Sequence, residues 1–343
     1  RRIMEMGFVR GKRVDVLQNA PLRDPIKYRI MDYEVSLRRS EAAMIVVITA
    51  EEVQQQLSVA GETLSAPDDA DFEEAISTRS RTINVALIGN PNSGKTSLFN
   101  AISGGHEHVG NYSGVTVDAK RGEYRYGGYR FVITDLPGTY ALSAYTPEEL
   151  YVRRHLVNDT PDVVVNAVVA SNLERNLYLT TELIDIDPKM VVALNMYDEL
   201  EASGAVLDYE HLGAMLGVPM VPVVAKTGRG LETLLDTVIA VYENRDPRVR
   251  HIHINNGPVV EQALRPLYER LRSDRDELPK HFPPRYFAMK LLERDKEVEA
   301  QLADCPHFAE WIALRDRAVP QVEEELGEDV ETAVANQKYG FIQ

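Results

Sequence analysis

Apolar and polar positions fall into three regimes along this chain. Between positions 14 and 48 they alternate in short runs: Val14 and Val16, Tyr28 and Ile30, Val35 and Leu37, then Ile45-Val46-Val47-Ile48. Period-two alternation marks half-buried strands, and Ala20-Pro21-Leu22-Arg23-Asp24-Pro25 supplies a turn between the first two. From 82 to 243 the apolar residues form short continuous runs at 83–88, 130–134, 163–165, 190–194 and 220–223. Runs of that kind suit the central strands of a parallel sheet covered on both faces. Amphipathic stretches at 147–157, 174–185, 208–217 and 230–243 predict the covering helices. Gly127-Gly128 predicts a hairpin between 123–126 and 129–133, which adds one antiparallel edge to a sheet of six strands. Beyond Pro247 the pattern is helical only. Val260, Leu264, Leu267 and Leu271 sit three and four apart, and Phe308, Trp311, Ile312 and Val319 mark a second core stripe. Pro283-Pro284 and Pro320 are expected to punctuate these helices.

Charge divides the chain further. Positions 1–40 carry ten Lys/Arg against five Asp/Glu, whereas 51–80 carry eight Asp/Glu against Arg79 alone. The acidic stretch reads as a linker with a short helix at 51–58. Arg1, Arg2, Arg10, Lys12 and Arg13 read as a solvated face. A net charge of −15 disfavours nucleic acid as a partner. No apolar run approaches the ~18 residues of a membrane span, and the chain starts at Arg1 without a signal sequence. It is therefore expected to be a soluble fragment. Cys305 is the sole cysteine, which precludes a disulfide within the chain and fits a reducing compartment. The close histidine pairs, His106 with His108 and His251 with His253, lack further ligands in sequence and read as solvated side chains.

Chemistry concentrates where strands end. The run 83–88 leads into Gly89-Asn90-Pro91-Asn92-Ser93-Gly94-Lys95-Thr96 and then, at Ser97, into an amphipathic helix. Strand, G-x-x-x-x-G-K-T and helix together make a phosphate-binding loop. Its glycines let backbone N–H groups converge, and the helix N-terminus adds partial positive charge. Lys95 is placed to reach the β- and γ-phosphates and the Thr96 hydroxyl to ligate Mg²⁺. Asp135-Leu136-Pro137-Gly138 follows the run 130–134, so that Asp135 can hold a Mg²⁺-bound water and the Gly138 N–H can read the γ-phosphate. Asn195-Met196-Tyr197-Asp198 follows 190–194. A carboxylate there accepts both N1–H and the 2-amino group of guanine, a donor pair that adenine lacks. Val224-Ala225-Lys226 follows 220–223 and offers a backbone N–H for the guanine O6. All four segments lie at the carboxyl edge of predicted strands, where open α/β sheets bind ligands. The chain is thus expected to bind GTP and GDP. A Ser at Val224 is common in this last motif, and its absence leaves some use of ATP open.

Gly114, Val115, Thr116, Val117 and Asp118 are assigned to a switch loop, with Thr116 twenty positions after Thr96. A Thr there closes on Mg²⁺ and the γ-phosphate and lets go after hydrolysis. Thr139 stands where many small GTPases carry a water-orienting Gln, and no Arg in these loops is an obvious finger in cis. An absent finger is worth about 10³–10⁵ in rate. By resemblance to other GTPases with G-x-P-N-x-G-K-[ST] and no Gln, Asn92 is expected to offer its carbonyl oxygen to a K⁺ resting on the phosphates.

Four longer stretches carry a more specific resemblance: GNPNSGKTSLFNAISG (89–104), VGNYSGVTVDAKRGEY (109–124), DLPGTYALSAYTPEE (135–149) and ASNLERNLYLTTELI (170–184). They resemble the cytosolic region of the bacterial ferrous iron transport protein B (FeoB) family. That resemblance implies a Ras-like P-loop GTPase of α/β fold at 81–245 and an all-helical regulatory domain at 246–343, which leads into a membrane permease region. Residues 1–50, with Met4-Glu5-Met6-Gly7-Phe8-Val9-Arg10-Gly11 ahead of the alternating strands, resemble the FeoA family, a small SH3-like barrel, with its first part missing. Residues 51–80 then link the two. The implied function is slow GTP hydrolysis that regulates or drives iron uptake at the cytoplasmic side of the bacterial inner membrane. The FeoA-like domain in cis, the permease region and self-association are the implied contacts. A soluble RNA- or ribosome-assembly GTPase, which shares the G-x-P-N-x-G-K-[ST] loop, is the alternative.

Overall fold

Short alternating strands at the N-terminus pair in an antiparallel sheet, β1 (Val14–Asn19), β2 (Ile26–Ile30) and β3 (Tyr33–Leu37). Tyr28 stands opposite Val16 on one side and Val35 on the other, so one face of the sheet gathers the apolar set. Leu37 is fully buried there, with Val14, Tyr28, Val35, Ala42 and Ile45 packed against it. This computed structural model describes residues 14–19, 26–30, 33–37, 42, 45, 47, 81–104, 107–109, 119–143, 145–279 and 282–343. Closure of the barrel by 45–48, the linker and its helix at 51–58 lie outside the described residues, apart from Ile45 and Val47. The chain divides into two units, Arg1–Thr82 and Ile83–Gln343.

The second unit is built on a sheet of strand order β10-β9-β8-β4-β7-β6-β5. Its members are β4 (Thr82–Gly89), β5 (Glu107–Val109), β6 (Lys120–Tyr126), β7 (Tyr129–Asp135), β8 (Val163–Val169), β9 (Met190–Asn195) and β10 (Met220–Pro222). β8 runs parallel to both β4 and β9, and β9 is parallel to β10. The Gly127-Gly128 hairpin makes β6 and β7 antiparallel, with both glycines at positive φ. The six expected strands are joined by β5, a three-residue edge strand antiparallel to β6. A strand so short leaves no periodicity to read.

Alternation along β4 sends Ile83, Val85 and Leu87 to one face of the sheet and Ala86 and Ile88 to the other. The first face packs on α1 (Lys95–Ser103) and α6 (Leu231–Tyr242) through Leu98, Phe99, Leu234 and Val238. The second packs on α2 (Pro147–Asn158) and α3 (Leu173–Ile186) through Val152, Leu156, Leu179 and Leu183. Two further helices, α4 (Tyr197–Ala202) and α5 (Tyr209–Leu216), follow β9. Thr146 begins α2 with a full capping box: its hydroxyl accepts from Glu149 N–H at 3.2 Å and its own N–H is returned to the Glu149 carboxylate.

Five helices complete the unit: α7 (Pro258–Ser273), α8 (Pro284–Leu292), α9 (Lys296–Leu302), α10 (Phe308–Leu326) and α11 (Val330–Ile342). The stripe Val260, Leu264, Leu267, Leu271 is buried as its spacing predicts, and Trp311 is fully buried opposite. Pro283 and Pro284 do start a helix, at the cap and first position of α8, where a missing N–H costs nothing. Pro320, by contrast, lies inside α10 rather than ending it. It is exposed while Val319 and Val322 are buried, so burial of the stripe carries the helix through the lost hydrogen bond. One apolar core runs without interruption from Ile88 through Leu183 to Phe287 and Trp311. The C-terminal helices are therefore packed on the α3 side of the GTPase-like sheet.

Candidate functional site

β4 ends on Gly89, where an added Cβ would stand 2.6 Å from the Ala167 carbonyl of the neighbouring strand, so only glycine fits. The chain then turns through Asn90, Pro91, Asn92, Ser93 and Gly94. Asn90 is buried and donates from Nδ2 to the Arg175 carbonyl at 3.2 Å, fastening the loop to α3. Asn92 and Gly94 both have positive φ, 67° and 74°, which curls the backbone ahead of α1. Helix α1 starts at Lys95, and Thr96 and Ser97 are exposed in its first turn.

Asp135, the last residue of β7, meets both. Lys95 Nζ forms an ion pair with its Oδ1, and the Thr96 hydroxyl donates to its Oδ2 at 3.1 Å. Leu136 and Pro137 carry the chain on, with Leu136 N–H bonded to Leu87 O at 3.1 Å and Thr139 N–H to Gly89 O at 3.2 Å. An added Cβ at Gly138 would stand 3.1 Å from both N and Cα of Pro91. The Asp-x-x-Gly turn thus lies directly against the phosphate loop. The Thr139 hydroxyl is buried and given to the Ala141 carbonyl at 2.7 Å, so it is turned away from any water-orienting role.

At the other side, Asn195 closes β9. Its Nδ2 donates to the Ser93 carbonyl at 2.9 Å and its Oδ1 accepts from the Ala225 N–H at 3.1 Å. Both polar ends of this buried side chain are spent on backbone, and of the backbone N–H groups of 224–226 offered to guanine O6 that of Ala225 is bonded to Asn195. Met196, at φ 56°, swings the chain into α4. Tyr197 is half-buried and Asp198 is exposed in the first turn of α4, with its carboxylate unclaimed among the described residues. Val224 N–H bonds Arg229 O at 2.9 Å, and Lys226 is exposed beside it. The structure therefore gathers residues 89–97, 135–138, 195–198 and 224–226 at one sheet edge. Gly114, Val115, Thr116, Val117 and Asp118 lie outside the described residues.

The donor set fits a hard divalent cation. The Thr96 hydroxyl and the Asp135 carboxylate are 3.1 Å apart, and oxygen donors of this type suit Mg²⁺ with waters completing its shell. Asn92 is exposed, in the left-handed region that Asn tolerates, and its amide makes no bond to the described residues. An uncommitted amide oxygen in the loop suits a monovalent cation.

Sequence reasoning missed a second layer behind the site. Leu142, four residues beyond Gly138, is buried, and its N–H donates to Glu182 Oε2 at 3.4 Å while its C=O accepts from Arg153 Nη1 at 3.4 Å. Glu182 is paired with Lys338 of α11, and Arg153 with Asp295, the cap of α9, at 2.7 Å. Burial alone would raise the Glu182 carboxyl, but the Lys338 and Lys290 charges outweigh it and hold it at about 2. Glu182 and Lys338 are 156 positions apart, a pairing that no local pattern announces. Elsewhere, Asp274, Glu277 and His307 bring ligand-type atoms within 4.8 Å of one another. Their atoms already serve the fold: Asp274 accepts from Trp311 Nε1 and Arg270, both at 2.8 Å, and Glu277 holds the His307 ring. His251 is bonded to Asp187 instead of a metal-type cluster. Burial raises the Cys305 thiol, as expected of an unreactive cysteine.

Comparison with known proteins gives three family matches in chain order. The FeoA domain matches residues 1–49, ferrous iron transport protein B matches 83–238, and the FeoB cytosolic helical domain matches 257–343. A Porphyromonas gingivalis Fe(2+) transport protein A/Fe(2+) transporter FeoB fusion protein is 47% identical over all of this chain and 43% of its own length. The Fe(2+) transporter FeoB of Methanocaldococcus jannaschii is 36% identical over 76% of this chain and 38% of its own. The chain thus spans less than half the length of these relatives. Among solved structures, mGMPPNP-bound NFeoB from S. thermophilus is 37% identical, with a TM-score of 0.63 over 76% of this chain and 94% of that one. The cytosolic domain of the T. maritima FeoB iron transporter in a GDP form is 32% identical, with a TM-score of 0.64 over 76% and 96%. With the phosphate loop, the Asp-x-x-Gly turn and the Asn195 tie all in place on such a sheet, this chain belongs to the ferrous iron transport protein B family, as its GTPase module with a FeoA domain fused ahead of it.

Proposed function

We propose that this chain binds GTP and GDP and hydrolyses GTP in order to regulate or drive ferrous iron uptake at the cytoplasmic side of a bacterial inner membrane. The observation that carries the reading is the meeting of Lys95 and Thr96 on Asp135, against a loop whose curl is fixed by Asn92 and Gly94. The Lys95 ammonium is paired with Asp135 at the head of the loop. A bound triphosphate would place its β- and γ-phosphates within reach of Lys95 and of the converging loop N–H groups. Gly138, held against Pro91, presents its N–H to the γ-phosphate. The exposed Asp198 carboxylate takes the two guanine donors, while Asn195 keeps the base-binding loops at fixed spacing from the phosphate loop. Thr96, Asp135 and Thr116 would hold Mg²⁺, which when bound screens the phosphate charge.

Asn92 would contribute its amide oxygen to a K⁺ that neutralises charge developing between the β- and γ-phosphates, the role left vacant by Thr139. The division of labour follows the chain: 1–50 the FeoA-like domain, 51–80 a linker, 81–245 the GTPase and 246–343 the helical part. No helix among the described residues is long and apolar enough to cross a membrane; transport itself is assigned to the permease region that the family resemblance implies. Turnover measured in KCl and in NaCl tests the cation. The parent is expected to run at least about tenfold faster in K⁺, and Asn92→Ala to erase the difference. Equal rates for the parent in both salts contradict it.

A further inference from the structure

We propose that Arg175 is a positioning residue for hydrolysis: its backbone is fastened to the phosphate loop, and its guanidinium, laid on the Tyr140 ring, holds the Asp-x-x-Gly turn in register with that loop. All the residues involved belong to the sheet and helices of the GTPase part. The inference rests on the reading that residues 135–138 face the terminal phosphate, and it deepens that reading by naming a side chain that sets the turn.

Arg175 lies in the first turn of α3. A cation is out of place there, because the helix dipole puts partial positive charge at that end. A residue that breaks a local rule is a candidate for a role set by the fold. Two contacts give Arg175 such a role. Its carbonyl accepts from Asn90 Nδ2 at 3.2 Å. Asn90 is buried, and its Oδ1 has no partner among the described residues, so the bond to Arg175 is what the Asn90 amide gains for a costly burial. The second contact runs the other way. The Arg175 guanidinium carbon stands 4.6 Å from the centroid of the Tyr140 ring, well within the range where a ring face attracts a cation. One residue thus touches both halves of the site, with its main chain on the phosphate loop and its side chain on the turn.

Tyr140 is where such a hold counts. The turn is tied by backbone bonds at Leu136, to Leu87 O, and at Thr139, to Gly89 O. Tyr140 is the first residue past the second tie, two positions after Gly138, and its side chain is 41% exposed. The Arg175 stack extends the fastening by one residue and leads it, through Asn90, back to the same loop. Gly138 N–H must point at a phosphate oxygen with hydrogen-bond accuracy when charge develops there. Holding the residue two places on narrows the orientations open to that N–H. The guanidinium acts through the ring in this arrangement and would not touch the nucleotide. Both side chains are exposed, so the stack contributes to the aim of the turn and little to the core.

The test is a double-mutant cycle on the full 343-residue chain. Arg175→Met keeps the stem and removes the charge, and Tyr140→Leu keeps apolar bulk and removes the ring. Each is expected to lower kcat for GTP about threefold to fivefold, the range of an exposed cation–ring contact. KM is expected to stay within about twofold, the mark of an interaction felt in the transition state. The double variant is expected to be no slower than the worse single one, instead of the about tenfold to twenty-fivefold loss that independent effects would give. Tyr140→Phe and Arg175→Lys, which keep a ring and a cation, are expected to run within about twofold of the parent. Melting temperatures are expected to stay within about 3 °C, which separates positioning from a loss of fold. Single variants at the parent rate, or losses that multiply in the double variant, overturn the proposal. So does a loss of about 10³ or more in Arg175→Met beside an unaffected Tyr140→Leu, since that would put the guanidinium on the phosphates themselves. Failure of the parent to bind a GTP analogue would instead strike the functional reading on which the stack rests.

Discussion

Asn195 and Ser93 are joined across the sheet edge by a 2.9 Å bond from the Asn195 amide nitrogen to the Ser93 carbonyl. The other end of the same amide holds Ala225. One buried side chain thus fixes the distance between the phosphate loop and both loops expected to meet the base.

The tie has a measurable consequence. Asn195→Ala leaves the buried Ser93 carbonyl and Ala225 N–H without partners, a cost of about 1–3 kcal/mol for each group. Because that cost falls on the loops rather than on the core, GDP affinity is expected to drop about tenfold to a hundredfold while the melting temperature falls only a few degrees. Titration with a fluorescent GDP analogue, run beside a thermal melt, checks both. Unchanged affinity would show that the spacing is held by other contacts.

Gly138 carries a steric prediction. A methyl group there would press on the Pro91 backbone at 3.1 Å, tighter than an ordinary contact, and neither neighbour is a flexible side chain that can yield. Gly138→Ala is expected to push the turn away from the phosphate loop and lower kcat about tenfold or more, with GDP affinity nearly intact. A variant that hydrolyses GTP at the parent rate would contradict the assigned role of the Gly138 N–H.

The Glu182 carboxyl gives a pH signature. Its value in the folded chain is about 2, below the ordinary 4.5, because Lys338 and Lys290 outweigh its burial. A depressed acid adds stability that is present above the unfolded value and is lost as pH falls toward the folded one. The shift corresponds to about 3 kcal/mol. Denaturant unfolding of the parent and of Glu182→Gln, compared at neutral pH and near pH 3, isolates this group from the other carboxylates. The parent is expected to lose about 2 kcal/mol more than the variant on acidification. Glu293 works in the opposite direction, since burial raises its carboxyl and favours the protonated form in the fold. Equal losses in parent and variant would remove the claim that Lys338 holds Glu182 ionised.

Legibility in the sequence followed the range of the interaction. The buried runs 83–88 and 190–194 and the loops after them were readable because a strand and its following turn are local in the chain. The helix stripe through Val260 and Leu271 was readable for the same reason. The purine role of Asp198 is readable because its position after β9 is local information, whereas the bonds of Asn195 to Ser93 and Ala225 depend on how three loops meet. Pro320 predicts a helix break because a proline's cost is local, whereas the burial of Val319 and Val322 that carries the helix through it depends on the fold. The Lys338–Glu182 pair left no trace at all: each residue, taken in its own helix, looks like a surface charge.

The central claim is that residues 89–96 enclose the phosphates of a guanine nucleotide, with Lys95 meeting the β- and γ-phosphates. Equilibrium titration of the 343-residue chain with a fluorescent, non-hydrolysable GTP analogue in Mg²⁺ tests it most directly. Saturable binding that GTP competes away, and that Lys95→Ala weakens by about a hundredfold or more, is the predicted result. No saturable binding by the parent, or a Lys95→Ala curve that overlays the parent, would contradict the account.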